Sequence, residues 1–332
     1  MYYQDKIESL KSIFKKEELF LEGDFLVVDN ARYPIINDVI ILSKPSEYTD
    51  FVKKELRIKD AANNREVEDF ARDIQYTFSK EWEQYNEILP EHKGEFLEYF
   101  DLVPLALLQN LRICDLGCGN GRWSYYLKDV CKEMILIDFS DAIFIARKNL
   151  TNANNCLFFM MDLKNLPFKD NFCDFLFCLG VLHHLPTPCL NEVINLKRFA
   201  PTLLIYLYYS LDNKPIYFRL VLKIVTLLRM HLCRIKSPIF REIFSQFGTF
   251  FFYIPLIFLG QLLKPVGLGK YIPLYETYNE KSIKRIRQDV YDRFFTRIEQ
   301  RVCRKEILEL KNTFTNIIIS ENKPYWHFLC KR

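Results

Sequence analysis

The spacing of apolar and polar positions changes at about residue 109. Beyond it, RICDLG, EMILID, CLFFMMD, CDFLFCLG and TLLIYLYY are short unbroken apolar runs, and segments of helical length separate most of them. Strands that read as continuous apolar runs are buried on both faces, so this alternation predicts a parallel sheet covered by helices, an α/β core. DRFFTRIEQRVCRKEILELKN (292–312) reads as a helix. FTNIIIS and PYWHFLCKR adjoin across Glu321-Asn322-Lys323-Pro324 and are expected to close the sheet as an antiparallel hairpin.

Before residue 109 the pattern is different. FLVVDNARYPIINDVIIL (25–42) holds two β-rich runs separated by Asp29-Asn30-Ala31-Arg32, which suggests a hairpin within a small module spanning 1–50. A polar, helix-favouring stretch follows over 51–108. Its Phe70, Ile74, Phe78 and Trp82 recur every four residues, so one face should pack, either in a core or over a ligand. The α/β core occupies 109–211 and 280–332, interrupted by an insertion at 212–279. That insertion contains FGTFFFYIPLIFLGQLL (247–263), the most apolar stretch in the chain.

Composition adds three things. At 332 residues, 49% hydrophobic and 27% charged, the chain is globular and long enough for a full core plus an additional module. The net charge is only +4, which does not by itself argue for nucleic acid. The positive charge is local, however: Asp212–Lys270 carries nine basic residues against two acidic ones, leaving the rest of the chain negative. The ten cysteines form no C-x-x-C pair, and several sit in apolar runs. A reducing compartment, no disulfide framework and no bound metal are therefore expected. The N-terminal MYYQDKIESLKSIFKK is charged and lacks a signal-peptide apolar core, so a cytoplasmic location is expected, with peripheral membrane contact through 212–270 left open.

The chemistry concentrates in ICDLGCGNGRW (113–123). Gly117, Gly119 and Gly121 follow a strand and precede a helix, where a side chain would keep a ligand away from the turn. A dinucleotide fingerprint would place its third glycine at position 122, and this chain has Arg122 there. The departure disfavours a pyrophosphate and suits a ligand presenting an amino acid and a nucleoside. Asp138 ends the second strand, where an acid can accept hydrogen bonds from both ribose hydroxyls. Asp162 ends the third, where a carboxylate can receive an adenine amino group. The loop and fourth strand of NLPFKDNFCDFLFCLGVLHHLP (165–186) open a site at the strand's carboxyl end.

In these residues the sequence resembles the class I S-adenosylmethionine-dependent methyltransferases. DLGCGNG matches the family's first motif, Asp138 its ribose acid, MDLKNLPF its adenine-side motif and CDFLFCLGVLHHLP its motif after the fourth strand. The resemblance covers about 109–211, and the C-terminal strands complete the fold. It implies a Rossmann-like seven-stranded sheet, with S-adenosyl-L-methionine as cofactor. By the same resemblance, Asp115, Gly117, Cys118 and Gly119 would line the methionine part, Asp138 and Phe139 the ribose, Asp162 and Leu163 the adenine, and Leu179 the reacting end. ARYPIINDVIIL also resembles the small Trm112-like module that precedes some bacterial methyltransferase domains. Here it lacks zinc-binding cysteines, which implies a metal-free remnant.

On the acceptor side, methyl transfer from a sulfonium asks mainly for alignment and exclusion of water. A hydroxyl or acidic carbon also needs a base, and His183 or His184, just after the fourth strand, could serve. Tyr206 and Tyr208 could wall the acceptor, and Arg293 could bind an anionic group on it. Each of these residues has a plainer alternative as helix cap, core aromatic or surface ion pair. The basic, greasy insertion suits a lid over an apolar acceptor, a membrane-facing surface or an inert subdomain; a single span falls short of about 20 residues. A small acceptor, apolar, lipid-like or glycan, is expected. Methylation of tRNA or protein, or a cofactor-binding module without turnover, is the alternative. Nucleic acid is disfavoured, because the insertion lacks the aromatic spacing of a base-stacking surface.

Overall fold

The computed structural model of the protein describes residues 2–14, 18–58 and 70–332. Residues 59–69, part of the stretch expected to be helical, lie outside the described residues, as does the Phe70 side chain.

Eleven strands form one sheet. In chain order they are β1 (Leu19–Glu22), β2 (Phe25–Val28), β3 (Ala31–Ile36), β4 (Val39–Ile41), β5 (Arg112–Leu116), β6 (Glu133–Asp138), β7 (Cys156–Met160), β8 (Phe175–Leu179), β9 (Thr202–Tyr206), β10 (Asn316–Ile319) and β11 (Phe328–Lys331). Their spatial order is β1-β2-β3-β4-β7-β6-β5-β8-β9-β11-β10. The stretch from β7 to β10 is the expected seven-stranded unit. It has five parallel strands, then β11 antiparallel to β9, and β10 antiparallel to β11. The order reverses at β5, so the loops after β5 and β8 diverge and leave a crevice at the carboxyl edge, where ligands of open α/β sheets bind.

Alternate residues of each parallel strand feed opposite cores. Cys114, Ile135, Leu157 and Leu176 enter one cluster, whereas Ile113, Met134, Phe158 and Phe175 enter the other. Every residue of β7 and β8 is buried, as their unbroken apolar runs predict. Each large side chain fully withdrawn from water there contributes about 1.5–3 kcal/mol. All ten cysteines are unpaired, and eight are buried.

Three expectations need correction. The N-terminal module is a four-stranded meander rather than one hairpin. Asn37 and Asp38, at φ 47° and 61°, make the two-residue turn that splits the second β-rich run into β3 and β4. Nor does it stand apart: Ile40 and Ile41 pair in parallel with Phe159 and Met160, which extends the central sheet. Lastly, the helix expected over 292–312 is interrupted. Residues 296–303 run extended, with Gln300 N–H donating to the His183 carbonyl (2.9 Å) and Val302 bridging in parallel to Tyr209. Those tertiary bonds outweigh local helix propensity.

Thirteen α-helices are described. α1 (Ile7–Ile13), α2 (Asp50–Glu55), α3 (Phe70–Gln84) and α4 (His92–Tyr99) precede the parallel strands. The short α5 (Ser124–Leu127), α6 (Ala142–Asn149) and α7 (Cys189–Leu196) are the crossovers. The insertion holds α8 (Ile216–Leu232), α9 (Pro238–Gly248), α10 (Ile254–Leu263) and α11 (Tyr275–Tyr278). α12 (Ile283–Phe295) and α13 (Arg304–Glu309) lead back to the sheet. A π-helical turn at Thr249–Tyr253 joins α9 to α10, so the apolar stretch belongs to a continuous 29-residue helix, Pro238–Val266. It is long and apolar enough to cross a membrane by length and composition, beyond what the 247–263 stretch alone suggests. One side of it packs on α12, in a third cluster containing Tyr253, Val290, Phe294 and Phe295.

Candidate functional site

A cavity of about 630 Å³ opens at the carboxyl ends of β5, β6 and β8 and continues beneath the insertion. Its inner end is built by the glycine loop. Gly117 and Gly119 have φ of +79° and +54°; a Cβ on either would lie 2.4 Å from Val181 or 2.8 Å from the Trp82 indole. The loop is thus held flat, with backbone rather than side chains facing the cavity. Asp138 spans its neighbours: Oδ2 accepts from Gly119 N–H (2.8 Å), and Oδ1 accepts from Ser140 N–H (2.8 Å) and its hydroxyl (2.7 Å). Burial raises the Asp138 pKa, and these donors oppose the rise. Phe139, Asp162, Leu163 and Leu179 join Asp138 along the same wall.

α3 closes this end. Ile74, Gln75, Phe78, Glu81 and Trp82 lie on one helical face and line the cavity. Gln75 Nε2 donates to the carbonyls of Phe139 (2.8 Å) and Glu47 (3.1 Å), which pins the helix to the ribose-side loop and to the turn that follows the N-terminal meander. Arg122, the residue replacing the third fingerprint glycine, also lines the cavity. Its guanidinium lies 4.3 Å from the Trp123 ring centroid and 5.1 Å from that of Trp82, and its buried Nη1 has no hydrogen-bond partner. An unmatched buried cation beside a flat backbone loop suits a ligand carboxylate. Nothing in the spacing of the motifs foretold that role.

Two residues expected to line the cofactor do not reach the cavity. Asp115 is buried beneath the loop, its Oδ2 accepting from the Ser124 hydroxyl (2.6 Å), and burial pushes its pKa up to about 7. It holds the start of α5. The Cys118 side chain is buried in the core cluster on that face of the sheet, so only its backbone belongs to the loop.

The acceptor end separates the two histidines. His184 lines the cavity, and its Nδ1 lies 2.8 Å from the Ile298 carbonyl oxygen. His183 is fully buried, stacked on Tyr208 with ring centroids 3.9 Å apart, and neither ring nitrogen has a partner. Burial drives its pKa well down. His183 is accordingly a neutral packing residue rather than a base. Tyr206, Tyr208 and Arg293 line the cavity near His184. The Tyr208 hydroxyl donates to Asp292, which also accepts from the Thr296 hydroxyl (2.8 Å). Glu299 is paired to Arg301 (2.7 Å) and lies 3.7 Å from Arg229. Arg293 has no carboxylate within ion-pair distance among the described residues, and its Nε is without a hydrogen-bond partner. Further out, the walls are apolar: Val221, Ile224, Val225 and Leu228 from α8 face Phe244 and Phe252.

Parts of the chain are similar to known proteins. Residues 113–198 match the model of a methyltransferase domain family. The tRNA U34 carboxymethyltransferase of Nautilia profundicola is 27% identical over 96 residues, 28% of this chain and 32% of that protein. Phosphoethanolamine N-methyltransferase 1 of Caenorhabditis elegans is 28% identical over 120 residues, 32% of this chain and 25% of that protein. The matched stretches thus span a third or less of these relatives' lengths. Among solved structures, a SAM-dependent methyltransferase from Aquifex aeolicus aligns with a TM-score of 0.34 at 21% identity, over 39% of this chain and 73% of that one. The glycine loop, the Asp138 bridge and the matched family together make this chain the bearer of a class I S-adenosylmethionine-dependent methyltransferase domain.

Proposed function

We propose that the chain methylates an apolar, lipid-like small molecule whose reacting group lies beside His184, Tyr206 and Tyr208. A single observation carries this reading: the cavity that begins at Gly117 and Asp138 continues without interruption between apolar walls from α8, α9 and the π-helical turn. A ligand filling it has a polar end and a greasy body.

The cofactor supplies an electrophilic methyl group on a sulfonium. The protein's own residues do the rest. Arg122 and the loop backbone would hold the amino-acid end, Asp138 would receive the ribose hydroxyls, and Trp82 and Phe78 would exclude water. The Ile298 carbonyl can only accept, so His184 Nδ1 carries the proton and Nε2 keeps its lone pair. In that tautomer His184 can take the proton from an acceptor hydroxyl as the methyl group arrives.

A second reading, methylation of tRNA, is favoured by the names of several relatives. The match to the Nautilia profundicola protein covers 28% of this chain, and the apolar insertion has no feature of a base-stacking surface. Incubating the protein with methyl-labelled cofactor and a cell extract separates the two. Label entering the organic phase supports the lipid-like acceptor; label entering the RNA fraction supports the second reading and sinks the first.

A further inference from the structure

Of the 29 large hydrophobic side chains that stand exposed among the described residues, 21 lie between Ile216 and Tyr271. They are not scattered. Ile216, Leu220, Ile224 and Leu227 run along the outer side of α8, while Phe247, Phe250, Phe251, Phe258 and Leu262 run along α9, the π-helical turn and α10. Soluble surfaces rarely leave so large an apolar area open.

The charges around it have one sign. Arg219, Lys223, Arg234, Lys264 and Lys270 are exposed and form no ion pair among the described residues. Between residues 213 and 275 the one acid is Glu242, and it is paired with Arg287 (3.3 Å). A second copy of this chain docked face to face would oppose like charges. An anionic bilayer would satisfy both the apolar residues and the cations around them.

The long helix lies flat in this arrangement rather than crossing. Its inner side is committed to protein contacts: buried Arg241 donates to the Ile235 carbonyl (2.8 Å), and Ser245, Thr249 and Tyr253 are buried along the same side. A span would expose Arg241 and this polar seam to hydrocarbon.

The decisive feature is where the cavity opens. Val221, Ile224 and Leu228 of α8 and Phe252 of the π-helical turn line the cavity and are also exposed, at 44%, 60%, 51% and 56%. The mouth therefore lies on the apolar surface itself. We infer that α8 and the α9–α10 helix dock this protein on an anionic membrane, and that the acceptor passes sideways from the bilayer through the slot between Ile224 and Phe252. The docking stands independently of the acceptor's identity; the passage rests on the lipid-like reading above.

Flotation of the full chain with phosphatidylcholine vesicles, with and without phosphatidylglycerol, tests the docking. Recruitment should rise at least about tenfold with phosphatidylglycerol and fall with salt. Leu227→Glu combined with Phe251→Glu and Phe258→Glu, none of which lines the cavity, should abolish it while calorimetry shows unchanged cofactor affinity. Lys264→Gln with Lys270→Gln should reduce the dependence on anionic lipid. Lack of flotation, flotation indifferent to both variants, or a stable dimer in sedimentation that these variants break would each overturn the docking. Val221→Trp, placed in the mouth, should cut labelling of a membrane-borne acceptor without changing flotation; undiminished labelling would overturn lateral passage. Recruitment with label appearing only in RNA would leave the docking standing and remove the proposed acceptor.

Discussion

His184 Nδ1 and the main-chain oxygen of Ile298 lie 2.8 Å apart, which puts the ring proton of the neutral imidazole on Nδ1 and leaves Nε2 its lone pair. The contact comes from the extended 296–303 segment. That segment also ties its Gln300 to the carbonyls of Leu185 and Thr187 (both 2.7 Å), so the imidazole is held from two sides of one loop. His184→Ala should lower kcat by about 10²–10⁴, the usual worth of a positioned base, with cofactor affinity unchanged. His183→Phe, which keeps the stacking on Tyr208, should retain turnover close to that of the parent. If both variants keep full turnover on the labelled acceptor, the transfer needs no base from this loop.

Gly119→Ala tests the flat loop. Its φ of +54° costs an L-residue about 1–2 kcal/mol, and the added methyl would lie 2.8 Å from the Trp82 indole. Cofactor affinity measured by calorimetry should fall tenfold or more. If the clash with the indole is the larger part, adding Trp82→Ala should recover some of the loss in a double-mutant cycle. Additive losses would mean that backbone strain dominates.

Glu81 lines the cavity, and its Oε2 has no partner although Gln288 donates to Oε1 (3.0 Å). Burial, with the nearby Asp292 charge, pushes its pKa up to about 8. A carboxyl with a raised folded-state pKa binds its proton more tightly when folded than when unfolded. The contribution of Glu81 to stability is therefore greatest at low pH, falls as pH rises from the ordinary glutamate value near 4.5, and levels off above about 8. Asp115, pushed up to about 7, adds a fall in the same direction. Glu81→Gln should flatten this slope, gaining on the order of 1 kcal/mol or more over the parent at pH 8 relative to pH 5 in urea unfolding without cofactor. Parallel stability curves for the two proteins would refute the assignment.

The parts of this molecule that were legible in the sequence are those specified by neighbouring residues. Unbroken apolar runs such as CLFFM mark strands buried on both faces, and the glycines of DLGCGNG mark a loop that needs positive φ. What escaped depends on residues far apart in the chain. The roles of Asp115 and Asp138 differ because one carboxylate is turned under the loop toward Ser124 and the other toward Gly119, and both read alike as acids at strand ends. His183 and His184 are adjacent, and only the distant 298–300 segment decides which one meets the cavity. Arg122 reads as a missing glycine until Trp82 and Trp123 are seen on either side of it. The interruption after Phe295 is invisible to local propensity, since the bonds that hold the following segment extended come from Tyr208 and His183.

Arg293 lies in the cavity with its Nε unmatched, while Arg301 and Arg229 share the nearby Glu299. Tyr253, Tyr278 and Glu299 favour the charged form of Arg293, and the unmatched Nε is left for an anionic group on the acceptor. Two measurements separate that role from a purely structural one. Arg293→Met, with similar bulk and no charge, should unfold at lower denaturant concentration than the parent, because Tyr253, Tyr278 and Glu299 lose the cation they surround. It should also raise the KM for the labelled acceptor about tenfold to a hundredfold, the worth of a charged hydrogen bond, with cofactor affinity unchanged. Arg293→Lys should restore part of the acceptor affinity by keeping the charge without the guanidinium fork. A variant that is destabilised while its acceptor KM stays at the parent value would make Arg293 a structural residue of α12 and remove the anionic group from the substrate.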